Sequence, residues 1–168
     1  MLYYLNLFLL LFLLAKNNYN LKSFKIWMFI SLSFLFLLLG SRYYIGGDYF
    51  GYMNLYNKMD YINRISYPFY QVEVLYYSII MIFNRLGLSY YLVNFFLMFI
   101  TIFFFQKYIK NFQNPFFVLL ISLPILFIPI SINFVRQAIA ISIFLFSIKF
   151  LLKKDFKRYF FYIVIAAL

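Results

Sequence analysis

Long hydrophobic runs with few charges, broken by short polar clusters, constrain this chain more than any other feature. A helix that crosses a bilayer needs about 20 apolar residues, with about 17 tolerated. Met1–Ala15, Phe24–Gly40, Val72–Leu86, Tyr90–Gln106, Pro115–Ile132 and Gln137–Leu152 all approach that length. The pattern predicts an all-α fold: a polytopic transmembrane helix bundle of about six spans plus a truncated seventh. Met1–Ala15 lacks the basic start and small-residue cleavage site of a signal peptide and reads as a retained span. Val72–Leu86 is the weakest span, with Glu73 at its start and Asn84-Arg85 at its end. Gly87-Leu88-Ser89 predicts a tight turn joining it to the next span as a helical hairpin. Pro124 and Pro129 predict a kink in the run that contains them.

Composition supports the same class. The chain is 67% hydrophobic, well above the roughly 45–50% of a soluble domain. Fifteen Lys and Arg against four acidic residues give a formal net charge of +11. In so apolar a chain that excess reads as membrane topology and attraction to anionic headgroups, with no nucleic acid as partner. Cys and His are absent. That excludes disulfides, Cys/His zinc sites, histidine haem ligation and histidine general bases. Catalysis would have to rest on Asp, Glu, Arg, Lys, Tyr or backbone dipoles. The 26 Phe and 18 Tyr fit an AT-rich coding sequence and interfacial tyrosine better than a set of sugar platforms.

The basic loop Lys153-Lys154-Asp155-Phe156-Lys157-Arg158 predicts a cytoplasmic side. Lys107 and Lys110 then fall inside and Arg136 outside. Counting back through six plain spans puts residues 41–71 inside and Lys16, Lys22 and Lys25 outside, against the positive-inside rule. The conflict disappears if part of 41–71 re-enters the membrane or one weak segment does not cross. The expected organisation is one integral-membrane domain over residues 1–168, with 41–71 a polar extracytoplasmic or re-entrant loop. The closing apolar run Tyr159–Leu168 is ten residues long, too short to cross, and reads as a helix cut partway. The expectation is a domain incomplete at its carboxyl end and inactive as it stands.

Charge beside hydrocarbon is costly unless it meets water, a partner or a substrate. Two clusters qualify. In Arg42…Gly46-Gly47-Asp48-Tyr49…Tyr52 the glycines free the backbone to turn and to present amides to an anion. A carboxylate and an arginine could line one pocket there. The same residues also suit an ordinary Gly-Asp turn with Arg42 snorkelling to headgroups. Glu73 is either a second carboxylate or an interfacial charge favoured by its helix dipole. In Asn133-Phe134-Val135-Arg136-Gln137, Arg136 stands at a helix start, against the dipole preference. Headgroup anchoring or an anionic partner would account for it. Ala138 and Ser142 have the small-xxx-small spacing of close helix packing. Lys149 reads as a snorkelling lysine.

Together these clusters resemble the EpsG family of Wzy-like polysaccharide polymerases. The resemblance rests on Arg42…Gly46-Gly47-Asp48-Tyr49…Tyr52 after the second span, Glu73 opening the third, and Asn133…Arg136-Gln137-Ala138…Ala140. Gly47 stands where the family often has Thr, and Val74 where it often has Pro. A Phe-His pair commonly follows the helix at which this chain ends. The resemblance implies a glycosyltransferase in the bacterial inner membrane that polymerises undecaprenyl-diphosphate-linked oligosaccharide repeat units of exopolysaccharide, capsule or O-antigen. A sugar hydroxyl attacks the anomeric carbon and the lipid diphosphate leaves. Asp48, Arg136 and Glu73 would be catalytic. Arg42, Gly46, Gly47, Tyr49, Tyr52, Asn133 and Gln137 would bind substrate. No nucleotide sugar, redox cofactor or metal is implied. Membrane lipids, a flippase and a chain-length regulator would be partners. A lipid-linked oligosaccharide flippase or a non-catalytic membrane subunit are the competing readings.

Overall fold

A computed structural model describes residues 2–16, 21–41, 46–58, 74–130 and 134–167. Among these the chain is helical, with no strand. The helices are α1 (Leu2–Lys16), α2 (Leu21–Gly40), α3 (Tyr49–Lys58), α4 (Val74–Arg85), α5 (Tyr90–Ile109), α6 (Pro115–Ser122), α7 (Val135–Leu152) and α8 (Phe156–Ala167).

Among the described residues three helices are long and apolar enough to cross a membrane: Ser23–Gly40 within α2, α5 and α7. That is fewer than the six spans and truncated seventh predicted from the hydrophobic runs. Helix α4 has 12 residues, about 18 Å at 1.5 Å per residue, and a typical hydrocarbon core is about 30 Å thick. Apolar runs and helices therefore do not coincide one for one. The 115–132 run loses its regular helix at Ser122. Pro124 has no N–H and its ring would strike the carbonyl of Leu120, so the ladder widens. Over Leu123–Phe127 it forms a π-helical turn in which Ile128 N–H donates to Leu123 O at 2.9 Å. Where the kink is expected, the structure shows this π-helical turn at Pro124, and proline and π-turns are both places where helices bend.

The α4–α5 hairpin forms as its turn signal predicts. Gly87 takes the left-handed conformation, φ +65°. Its N–H donates to Asn84 O (2.9 Å), and Leu88 N–H donates to Phe83 O (3.1 Å). This paired arrangement satisfies the last carbonyls of a helix. The α7–α8 turn repeats it without glycine: Lys154, at φ 59°, donates to Leu151 O and Asp155 to Phe150 O, both at 2.9 Å.

Helix α5 is the centre of the bundle, packed against α2, α4 and above all α7. Its Val93, Leu97 and Met98 are fully buried, as are Ala138 and Ser142 of α7. The small-xxx-small pair therefore lies on the inward face of α7. Two buried hydroxyls of this pair of helices are satisfied within their own helices, Thr101 on Leu97 O at 3.0 Å and Ser142 on Ile139 O at 2.8 Å. Small side chains that bond locally let two backbones approach without stranding a polar group. Outward, Phe29, Leu37, Phe99, Phe144 and Leu151 are exposed. Large apolar side chains exposed on several helices suit lipid as their solvent.

The packing fixes which helix ends meet. Phe36 of α2 touches Phe95 and Phe99 of α5, at 5.5 and 6.5 Å between ring centroids. Phe24, at the other end of α2, meets Phe116 of α6 at 5.2 Å. Asn114 Nδ2 donates to Ala15 O at 2.8 Å, and Phe104 of α5 meets Phe146 of α7 at 5.3 Å. Thus the end of α1 and the starts of α2 and α6 gather with the ends of α5 and α7. Lys16, Lys25, Lys107, Lys110, Lys153, Lys154, Lys157 and Arg158 share this basic end. The end of α2 and the starts of α5 and α7 form the opposite one.

Candidate functional site

Helix α3 occupies part of the polar stretch expected as a loop. It is ten residues long and buries Tyr49, Tyr52, Leu55 and Tyr56. That spacing puts tyrosine on one helical face. Gly46, at φ 111°, makes the turn into it, a backbone conformation that favours glycine. Tyr52 N–H donates to Asp48 O at 3.1 Å, so Asp48 stands at the amino end of α3, where the dipole favours a carboxylate. Gly47 has no positive φ, and a Cβ there would meet nothing within 4 Å. A Thr side chain would fit there.

The tyrosine face of α3 docks onto the α4–α5 hairpin. Tyr56 hydroxyl donates to Leu88 O, and Asn84 Nδ2 donates to Tyr56 O at 3.2 Å. Tyr49 and Tyr56 pack on Tyr90 with centroids 5.5 and 5.7 Å apart. Tyr90 hydroxyl lies 3.5 Å from that of Tyr76, and the Tyr76 ring meets Tyr52 edge to face at 5.0 Å. Onto this assembly comes Arg136, its Cζ 4.8 Å from the Tyr52 ring centre and 5.7 Å from that of Tyr76. Cation–π attraction contributes about 0.5–1 kcal/mol when exposed and about 2 when desolvated. The dipole penalty for a cation at a helix start is about 0.3–1 kcal/mol. The two rings therefore offset the unfavourable position of Arg136.

A cavity of about 670 Å³ opens beside it. Asp48, Tyr76, Arg136 and Gln137 give its polar lining. Phe96, Ile100 and Phe104 of α5, Ile139 and Ile143 of α7, and Ile165 and Ala166 of α8 give its apolar walls. The first turn of α7 holds no acidic residue, and no side chain caps it. Its positive dipole end and Arg136 therefore act together on anything anionic that enters. Such a site can hold an amphiphile, with an anionic group at Arg136 and hydrocarbon along the walls, beside a carboxylate able to take a proton.

The structure thus brings Asp48, Arg136 and Gln137 to one cavity from opposite halves of the chain. Tyr52 supports Arg136 from behind. Tyr49, Gly46 and Gly47 are not among the lining residues: Tyr49 is buried in the tyrosine packing, and Gly46 and Gly47 form the turn. Arg42, Glu73 and Asn133 lie outside the described residues, as does most of the rest of the 41–71 stretch. Tyr76 and the apolar walls escape a reading of the sequence alone. Nothing local marks Tyr76 among 18 tyrosines; only its ring contact with Arg136 does. Among the described residues no three carboxylates, histidines or cysteines gather as metal ligands.

Fold and site define a helical membrane protein with an arginine–carboxylate cavity walled by apolar side chains. The chain belongs to the EpsG family, whose model matches residues 25–168. This is a polysaccharide polymerase-like family. No curated protein and no solved structure matches the chain.

Proposed function

We propose that this protein polymerises undecaprenyl-diphosphate-linked oligosaccharide repeat units in the bacterial cytoplasmic membrane, for exopolysaccharide, capsule or O-antigen. The observation that carries the reading is the convergence of Asp48 and Arg136 on one cavity with apolar walls. Asp48 takes the proton of the acceptor sugar hydroxyl as its oxygen bonds to the anomeric carbon of the donor. The bond from that carbon to the diphosphate oxygen breaks, and Arg136 stabilises the charge that develops there. Gln137 hydrogen-bonds sugar or phosphate beside it. Arg42 and Asn133, near Asp48 and Arg136 in sequence, and Glu73, three residues before Tyr76, are proposed to complete the site, with Glu73 as second carboxylate.

The basic end faces the cytoplasm and the cavity end the outside, as the positive-inside rule requires. The chain is multi-pass. Helices α3 and α4 stay at the outer end, so the polar stretch 41–71 and Arg136 share one side, and a flippase in the same membrane supplies the substrate there. Arg136→Ala and Asp48→Asn, made in the full-length protein and expressed from the native locus, test the reading through surface glycan length. Single repeat units in place of long polymer are expected. Unchanged lengths overturn it, and loss of every surface repeat unit points instead to transport of the lipid-linked precursor.

A further inference from the structure

At the basic end three cations from three helices converge on one aromatic platform. Phe146 and Phe150 of α7 meet edge to face at 5.6 Å, and Tyr162 of α8 stacks on Phe150 at 5.3 Å and 7°. Lys149 Nζ lies 3.6 Å from the Phe146 ring centre and 4.7 Å from that of Phe150. Lys107, from α5, sits 4.1 Å over Phe103 and 5.7 Å from the same Phe146 ring. Arg158 of α8 completes the set, its Cζ 5.9 Å from Phe150.

The helix dipole accounts for a lysine near the carboxyl end of α5 or of α7 taken singly. It does not account for two of them over one ring, where like charges repel. Among the described residues the nearest acid of this end, Asp155, is engaged by Arg158 at 3.3 Å. No carboxylate among them ion-pairs with Lys107 or Lys149. A compact anion would reverse the repulsion. Phe103, 40% exposed, carries the platform onto the exposed apolar surface, which suits a ligand whose hydrocarbon remains in the bilayer.

We infer that the cationic cluster at the carboxyl ends of α5 and α7 binds the phosphate of an anionic membrane phospholipid, held by Lys107 and Lys149 with Arg158 beside them. Its acyl chains run along Phe103 and the apolar faces beside it. This site lies at the opposite end of the bundle from Arg136 and does not depend on the proposed chemistry there. Basic pockets between helices on the cytoplasmic side suit phospholipid headgroups.

The test is native mass spectrometry of the purified protein titrated with phosphatidylglycerol, with phosphatidylcholine, and with soluble glycerophosphate as a headgroup without chains. The protein should retain phosphatidylglycerol at least about tenfold better than phosphatidylcholine, since each surface lysine contributes about 1 kcal/mol and tenfold is about 1.4 kcal/mol. Lys107→Gln/Lys149→Gln should abolish that preference, while Lys16→Gln/Lys25→Gln, on α1 and α2, should preserve it. Equal retention of the two lipids by the unaltered protein overturns the proposal even if the double variant fails to fold. A preference that survives Lys107→Gln/Lys149→Gln overturns it as well, as does glycerophosphate binding as tightly as the lipid.

Discussion

The two ends of the bundle both place cations over aromatic rings, and they do so with different chemistry. At the cavity end the cation is an arginine and the rings are tyrosines, tied by the Tyr76–Tyr90 hydroxyl contact and by the Tyr56 bond to Leu88 O. At the basic end the cations above Phe103 and Phe146 are lysines, and those rings have no polar handle. A guanidinium is planar and offers a fixed fork of donors, whereas an ammonium is a point charge on a flexible stem. Hydroxyls anchor the tyrosine rings; phenylalanines are held by packing alone. One end is therefore preorganised to orient a reacting group. The other can hold an anion without dictating its geometry.

The largest expected effect separates the ends by activity. Arg136→Ala should lower polymer formation by about 10²–10³-fold, the usual cost of one preorganised donor at a developing oxyanion. Asp48→Asn should be comparably severe. Lys107→Gln/Lys149→Gln should leave activity within about twofold. Gel analysis of surface glycan and the rate of repeat-unit consumption measure this. Equal losses at the two ends would erase the distinction.

A second substitution tests the helix that connects both ends. Ala138 is fully buried on α7, and Ala138→Leu should overpack the inward face of that helix at a cost of about 1–3 kcal/mol. The thermal midpoint of the detergent-solubilised protein should fall, and activity with it. An unchanged midpoint would mean that this face tolerates the added volume.

The tyrosine platform can be tested at the level of the ring itself. If Tyr52 works through its ring, Tyr52→Phe keeps most activity and Tyr52→Leu loses about tenfold, the cation–π contribution of a partly desolvated pair. Should phenylalanine fail as badly as leucine, the hydroxyl is the working group and the ring contact with Arg136 is incidental.

The smallest effects concern the two helix-capping turns. Gly87 and Lys154 hold the same left-handed conformation in the α4–α5 and α7–α8 turns. Gly87→Ala should cost about 1 kcal/mol although a Cβ there meets nothing within 4 Å, because the penalty is conformational. Lys154→Gly should stabilise by up to about 1 kcal/mol and remove one charge from the basic end. Melting curves check both signs.

Much of this molecule is written locally. Hydrophobic runs long enough for lipid, the scarcity of acids, the turn at Gly87 and the small pair Ala138 and Ser142 each depend on residues a few positions apart. Local free energies of helix formation, capping and transfer into hydrocarbon decide them. Asp48 and Arg136 were also legible as candidates, because a charge flanked by apolar sequence stands out without any knowledge of its neighbours. Their meeting was not legible. It depends on α5 and α7 running in the same direction and on α3 docking against the α4–α5 hairpin. Run-counting alone even admits a topology that puts a membrane between the two clusters. Tyr76, the apolar walls and the convergence of Lys107 with Lys149 were hidden for the same reason. Each arises from contact between elements distant in sequence, and those contacts are selected by side-chain packing over the whole bundle, which no local pattern records.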